Sequence, residues 1–80
     1  MDFGKAIEAL KSGKRVKRAG WNGKGMYLYL ADGKLLTEEI GDGSYPFTDT
    51  VVMKTADDKY CIGWLASQAD MLAEDWEVIG

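Results

Sequence analysis

The 80-residue sequence has no histidine, one cysteine and one proline. Each scarcity removes a class of function. Without histidine, neither a Ser-His nor a Cys-His pair can be built within one chain, so nucleophilic catalysis of that kind has no base. Cys61 has no second cysteine to pair with, and a zinc site lacks its usual ligands. Cys61 is therefore expected as a small buried hydrophobe. Long apolar runs are also missing: no stretch approaches the ~18 apolar residues of a membrane span. The opening MDFGKAIEALKSGK has no basic region followed by an apolar stretch, so no leader and a cytoplasmic location are expected.

What remains is ordinary globular material. Hydrophobic residues make up 46% and charged residues 29%, which supports a packed core. The length suits one domain over residues 1–80. A domain this small buries only about 60–65% of its unfolded surface, so association with further copies would help it. The net charge of −3 is unevenly spread: residues 1–24 carry seven bases and two acids, and residues 25–80 carry three bases and eleven acids. The acidic remainder would repel a nucleic-acid polymer. A small anion held in one basic pocket fits better, as do complementary faces in an oligomer.

Residues 2–12 predict an amphipathic helix, with Asp2 as cap, Phe3, Ile7 and Leu10 on one face, and Gly13 beyond its end. Residues 14–19 predict a short strand. GWNGKG then predicts a tight hairpin turn centred on Asn22-Gly23. Met26–Ala31 predicts a strand, and Asp32-Gly33 a turn into extended Lys34–Leu36. Residues 37–50 predict a long loop around Pro46, ordered by Tyr45 and Phe47. Val51–Thr55 and Lys59–Leu65 predict antiparallel strands about a turn at Asp57-Asp58. Ser67 with Asp70 predicts a capping box, opening a short helix that buries Met71 and Leu72. Trp76–Ile79 predicts a last strand. The fold class is α+β: a small antiparallel sheet with an N-terminal helix and a short C-terminal helix packed on it, in an oligomer.

The chemistry-bearing residues fall into two groups. GWNGKGM places Trp21 among residues that otherwise suit a turn. The stretch is neither GxGxxG nor GxxxxGK[ST]. Its backbone N–H groups can still form an anion nest, Lys24 with Arg15, Lys17 or Arg18 adds positive charge, and Trp21 offers a face for a base. The second group is GWLASQADMLAEDW. A helix N-terminus at Ser67 favours anions, Gln68 both donates and accepts, and Asp70 can accept from a ribose hydroxyl. A purely local role also fits: Ser67 and Asp70 cap the helix, and Trp64, Met71 and Trp76 fill the core. Thirteen carboxylates are present, but their spacing singles out neither a catalytic pair nor a Mg²⁺ cluster. Aromatic, amide and basic groups together suit binding of a purine nucleotide more than its cleavage.

WNGKGM, MKTAD and WLASQADMLAEDW, in that order, resemble the type-two Thoeris anti-defence family of phage and prophage proteins. The likeness runs nearly end to end. It implies a non-catalytic sponge that binds cyclic ADP-ribose-type signals, glyco-cyclic ADP-ribose in particular, and sequesters them uncleaved. It also implies a homotetramer with pockets at subunit contacts and, in some relatives, uptake of cyclic di- or trinucleotides at a separate site. No cofactor or metal is implied. Carried over by position, Trp21, Asn22 and Gly23, followed by Lys24 and Met26, match the motif nearest the signal pocket. Trp64, Ser67, Gln68, Asp70 and Met71 match the late motif. Pro46 and Phe47 close a loop that is short here and varies across the family, and Lys54 lies on the strand after it. Two other functions compete with the sponge: direct inhibition of a defence enzyme through an aromatic protein-binding surface, and cleavage of such nucleotides by a carboxylate.

Overall fold

Asp2 starts the first helix, α1 (Phe3–Lys11), by accepting a hydrogen bond from the Lys5 amide at 2.9 Å. The structure, a computed structural model, describes residues 1–79. Ala6 and Leu10 are buried on the inner face of α1, with Phe3 and Ile7 half-buried beside them. Gly13, at φ 87°, ends the helix. Its amide donates to the Leu10 carbonyl and that of Lys14 to Ala9, each at 3.0 Å, which satisfies carbonyls the helix leaves free.

The strands are β1 (Arg15–Arg18), β2 (Tyr27–Ala31), β3 (Thr50–Lys54), β4 (Tyr60–Ile62) and β5 (Trp76–Ile79). They form one five-stranded sheet in the order β4-β3-β2-β1-β5, every neighbouring pair antiparallel. The α+β architecture read from the sequence is the one observed. α1 packs across β1, β2 and β5. The pleat sends Val16, Leu28, Leu30, Met53 and Trp76 to that side, where they build the core with α1. Each fully buried Leu or Val adds about 1.5–3 kcal/mol. The registers place Lys17, Tyr27, Lys54 and Tyr60 in one row on the opposite face, with Arg15, Tyr29, Val52 and Ile62 in the next. No helix of the described residues covers this second face, and Tyr60 and Ile62 are exposed there.

Five expectations are corrected. First, Gly33–Ile40 is a helix, α2, where extended chain running into a loop was expected. Asp32 caps it by accepting from the Lys34 amide at 2.8 Å, a role hidden by reading Asp-Gly as a turn. The returning chain crosses close over Gly33, where a side chain would strike the backbone of Phe47 and Thr48. Thr37 Oγ1 accepts from the Phe47 amide and Asp49 from the Gly33 amide, so the segment after α2 is tied down.

Second, Asn22-Gly23 makes no two-residue hairpin turn. Residues 19–26 form a longer loop, and its positive φ falls on Gly25 (73°) rather than on Asn22 or Gly23. Trp21 packs inward, so the chain cannot reverse tightly beside it. Third, β4 stops at Ile62 instead of reaching Leu65. Gly63 turns at φ 85°, and the amides of Gly63 and Trp64 both donate to the Val51 carbonyl at 3.0 Å, a bulge that ends the pairing.

Fourth, Cys61 is exposed, because β4 is an edge strand that α1 does not reach. Fifth, Met71 and Leu72 are exposed. The short helix α3 (Gln68–Leu72) is held by polar bonds of Asp70 rather than by an apolar face. The capping box of Ser67 and Asp70 forms as expected. No helix among the described residues is long and apolar enough to cross a membrane.

Candidate nucleotide pocket

The alternation of RVKR sends Arg15 and Lys17 to the uncovered face and Val16 and Arg18 to the other. The loop 19–26 folds back at the end of β1. Strand and loop together enclose a concavity of about 500 Å³ lined by Arg15, Lys17, Arg18, Trp21, Lys24 and Tyr27, a size that suits a small ligand. Asn22, Gly23 and Met26 line it too.

Its charge is uneven. Arg18 is paired with Asp70 and Asp75. Among the described residues, Arg15, Lys17 and Lys24 have no carboxylate within ion-pair distance, and Arg15 lies 4.9 Å from the centre of the Tyr27 ring. The Tyr27 phenol is held below its usual range, first by the neighbouring Tyr60 and then by Arg15; the same proximity pushes Tyr60 upward. Lys54 pairs with Asp58. Its ammonium reaches the loop, since a side chain at Gly25 would meet Nζ at 3.1 Å. The concavity therefore offers unpaired positive charge beside two aromatic rings.

Trp21 is half-buried. Its ring centre lies 5.6 Å from Trp76 and 6.3 Å from Trp64, both edge-on. Trp76 is fully buried and donates from Nε1 to the Asp70 carbonyl at 3.0 Å. Trp21 thus joins the core to the pocket wall. Gly23 is there because space is short: a Cβ would lie 2.8 Å from that of Ala56 and would collide with Met26.

The residues singled out in the sequence occupy three places. Trp21, Asn22, Gly23, Lys24 and Met26 surround the concavity, with Lys54 at its edge. Trp64, Ser67, Gln68, Asp70 and Met71 lie behind the loop, joined to it through Trp21 and Arg18. Both Asp70 oxygens are engaged within the chain, Oδ1 by Arg18 and Oδ2 by the Ser67 amide and hydroxyl. Burial pushes the Asp70 carboxyl upward, but these bonds outweigh it and leave it below the usual range. Gln68 and Met71 are exposed.

Pro46 and Phe47 lie in the β2–β3 connection, at the other end of the sheet. With Ile40, Asp42 and Tyr45 they line a separate concavity of about 340 Å³. Within one chain they do not meet Trp21. Tyr27 was not singled out from the sequence, although its alternation with Leu28 placed it on the face opposite the core.

The comparisons agree along the whole chain. A family described as the Thoeris anti-defense 2-like domain matches residues 1–79. A protein of Bacillus phage SP01 named Thoeris anti-defense 2 is 44% identical over 85 aligned residues, which cover 99% of this chain and 94% of that protein. With its loop, capped helix and tryptophan cluster in place, the chain belongs to the Thoeris anti-defense 2-like family.

Proposed function

We propose that this protein counters Thoeris defence by binding its cyclic ADP-ribose-type signal and holding it uncleaved in the cytoplasm of the infected host. Glyco-cyclic ADP-ribose is the ligand this reading favours. One observation carries it: Arg15, Lys17 and Lys24, which pair with no carboxylate among the described residues, share a concavity with Trp21 and Tyr27. The bases meet phosphates, and the rings offer faces for a purine. Histidine is absent and Asp70 and Asp75 are tied to Arg18, which favours a binder over an enzyme.

The working form is a homotetramer with pockets at subunit contacts. The uncovered sheet face, with Tyr60 and Ile62 exposed, supports burial against another copy. Association would also give Pro46 and Phe47 a route to a pocket they do not reach alone. Their own concavity is the candidate second site, for cyclic di- or trinucleotides.

The test is to mix the protein with glyco-cyclic ADP-ribose, separate the complex, and denature it by heat. Intact ligand should return in proportion to protein. A cleaved product, or no heat of binding by calorimetry, would overturn the sponge.

A further inference from the structure

Arg18 differs from every other base around the concavity. Its Nε donates to Asp75 Oδ1 at 2.9 Å and its Nη1 to Asp70 Oδ1 at 3.0 Å. The second oxygen of each carboxylate holds another segment. Asp75 Oδ2 accepts from the Gly20 amide at 2.8 Å, at the start of the loop. Asp70 Oδ2 accepts from the Ser67 amide at 3.0 Å and from its hydroxyl at 2.8 Å. A continuous chain of charge-assisted bonds thus runs from Gly20 to Ser67 with Arg18 at its centre. The side chains of Arg18 and Asp70 are only 21% and 13% exposed, so water competes weakly for the bond between them, while the bonds to Gly20 and Ser67 lie nearer the surface. A planar guanidinium can serve two carboxylates at fixed angles, which an ammonium cannot.

The loop has few other restraints. No strand ladder covers residues 19–26. The Ala19 amide donates to the Asp75 carbonyl at 3.0 Å and the Trp21 amide to that of Arg18 at 3.3 Å. Trp21 then leans on Trp76, whose indole N–H is held by the Asp70 carbonyl. The amide bonds end on backbone carbonyls of Asp75 and Arg18, and Trp21 packs on Trp64 as well. The Arg18 bridge is the side-chain link that ties the start of the loop to both α3 and the residue before β5.

We propose that Arg18 is the positioning residue of this pocket: by bridging Asp70 and Asp75 it holds the loop in its ligand-ready shape against α3 and β5. The inference rests on the nucleotide-pocket reading above. Arg18 is already neutralised by its partners, so the charge met by a phosphate comes from Arg15, Lys17 and Lys24. The two jobs are separable. A loop that must be ordered on binding costs affinity without altering the charge contacts. Losing a phosphate contact lowers the salt dependence.

The variants are Arg18→Lys and Asp75→Asn, with Lys17→Gln for comparison. In the free protein, hydrogen exchange of the amides of Gly20, Trp21 and Gly23 should quicken about tenfold in the first two, while Leu28 and Leu30 stay protected. Calorimetry with glyco-cyclic ADP-ribose over a salt series should show an affinity loss of about tenfold in both, with the salt slope unchanged. Lys17→Gln should flatten the slope and leave loop exchange as in the wild type.

Wild-type loop exchange or wild-type affinity in both Arg18→Lys and Asp75→Asn overturns the proposal. So does faster exchange at Leu28 and Leu30 as well, which marks a general loss of stability. Should Arg18→Lys fail to fold, Asp75→Asn carries both measurements, since it is isosteric and its single amide oxygen can serve Arg18 or the Gly20 amide but not both. If the wild type binds no ligand, the pocket reading falls, and the exchange arm still decides whether Arg18 holds the loop.

Discussion

Trp21 shows how one residue serves two ends. Its ring packs edge-on against Trp64 and Trp76, and it also lines the concavity. Trp21→Ala should therefore lower both stability and affinity. Stacking on a base is worth about 1–3 kcal/mol, and each lost kcal/mol of folding free energy lowers the melting temperature by about 4–8 °C. Trp21→Phe should restore most of the melting temperature by keeping an aromatic edge in the cluster. Thermal melts and calorimetry on the same samples separate the two effects; an unchanged affinity in Trp21→Ala would leave the residue a core element alone. Gly23 makes a sharper steric case. Gly23→Ala has to displace the Ala56 methyl, 2.8 Å away, and overpacking costs about 1–3 kcal/mol. A melt that does not fall would show that Met26 and the β3–β4 turn yield more easily than their packing implies.

At the scale of the element, caps and carboxylates decide the outcome. Asp32→Ala removes the cap of α2 and should cost about 0.5–2 kcal/mol, read from denaturant unfolding. Around α3 the Asp75 carboxyl is held below its usual range by Arg18 and then by the Gly20 amide, and Asp70 is also lowered. A carboxyl lowered in the folded state stabilises the protein above its ordinary value of 3.8. That contribution is lost as the pH falls through the lower folded value. Melting temperature should thus drop below about pH 4, and less steeply in Asp70→Asn, which has one such group fewer. A parallel acid limb in both proteins would place the sensitive carboxylates elsewhere. These elements also show what could be read in advance. Phe3, Ile7 and Leu10 announced α1 by their spacing, and Ser67 with Asp70 announced α3. α2 was missed because Asp32-Gly33 suits a turn as well as a cap, and because Leu35-Leu36 is too short a run to set a period. The long loop at 19–26 was missed because Asn22-Gly23 is a local signal, and the inward pull of Trp64 and Trp76 on Trp21 is not.

For the whole molecule the uneven coverage of the sheet matters most. One face is closed by α1 and the other carries Tyr60 and Ile62 in the open. In the homotetramer proposed above this face is the contact, so Ile62→Asp should leave the monomer folded and reduce the mass seen by light scattering, because burying a charge is costly. Unchanged mass would assign the contact to another surface. The residues around the concavity were partly legible, since the bases of 14–18 and the GWNGKG stretch adjoin in sequence. The separation of Pro46 and Phe47 from them was not, because it follows from β2 running the length of the sheet between the two loops. The strand order has a last consequence, for synthesis rather than for binding. β5, the final strand, pairs with β1, and the Met1 carbonyl accepts from the Trp76 amide at 3.1 Å. A nascent chain halted before Asp75 lacks the carboxylate that anchors Gly20, the Trp76 ring that fills the core, and an edge partner for β1. Its early hydrophobic residues stay unsheltered until β5 has been made, so long-range closure sets the folding rate. Premature stop codons before Asp75 should then yield fragments degraded by cellular proteases rather than weakened versions of the protein.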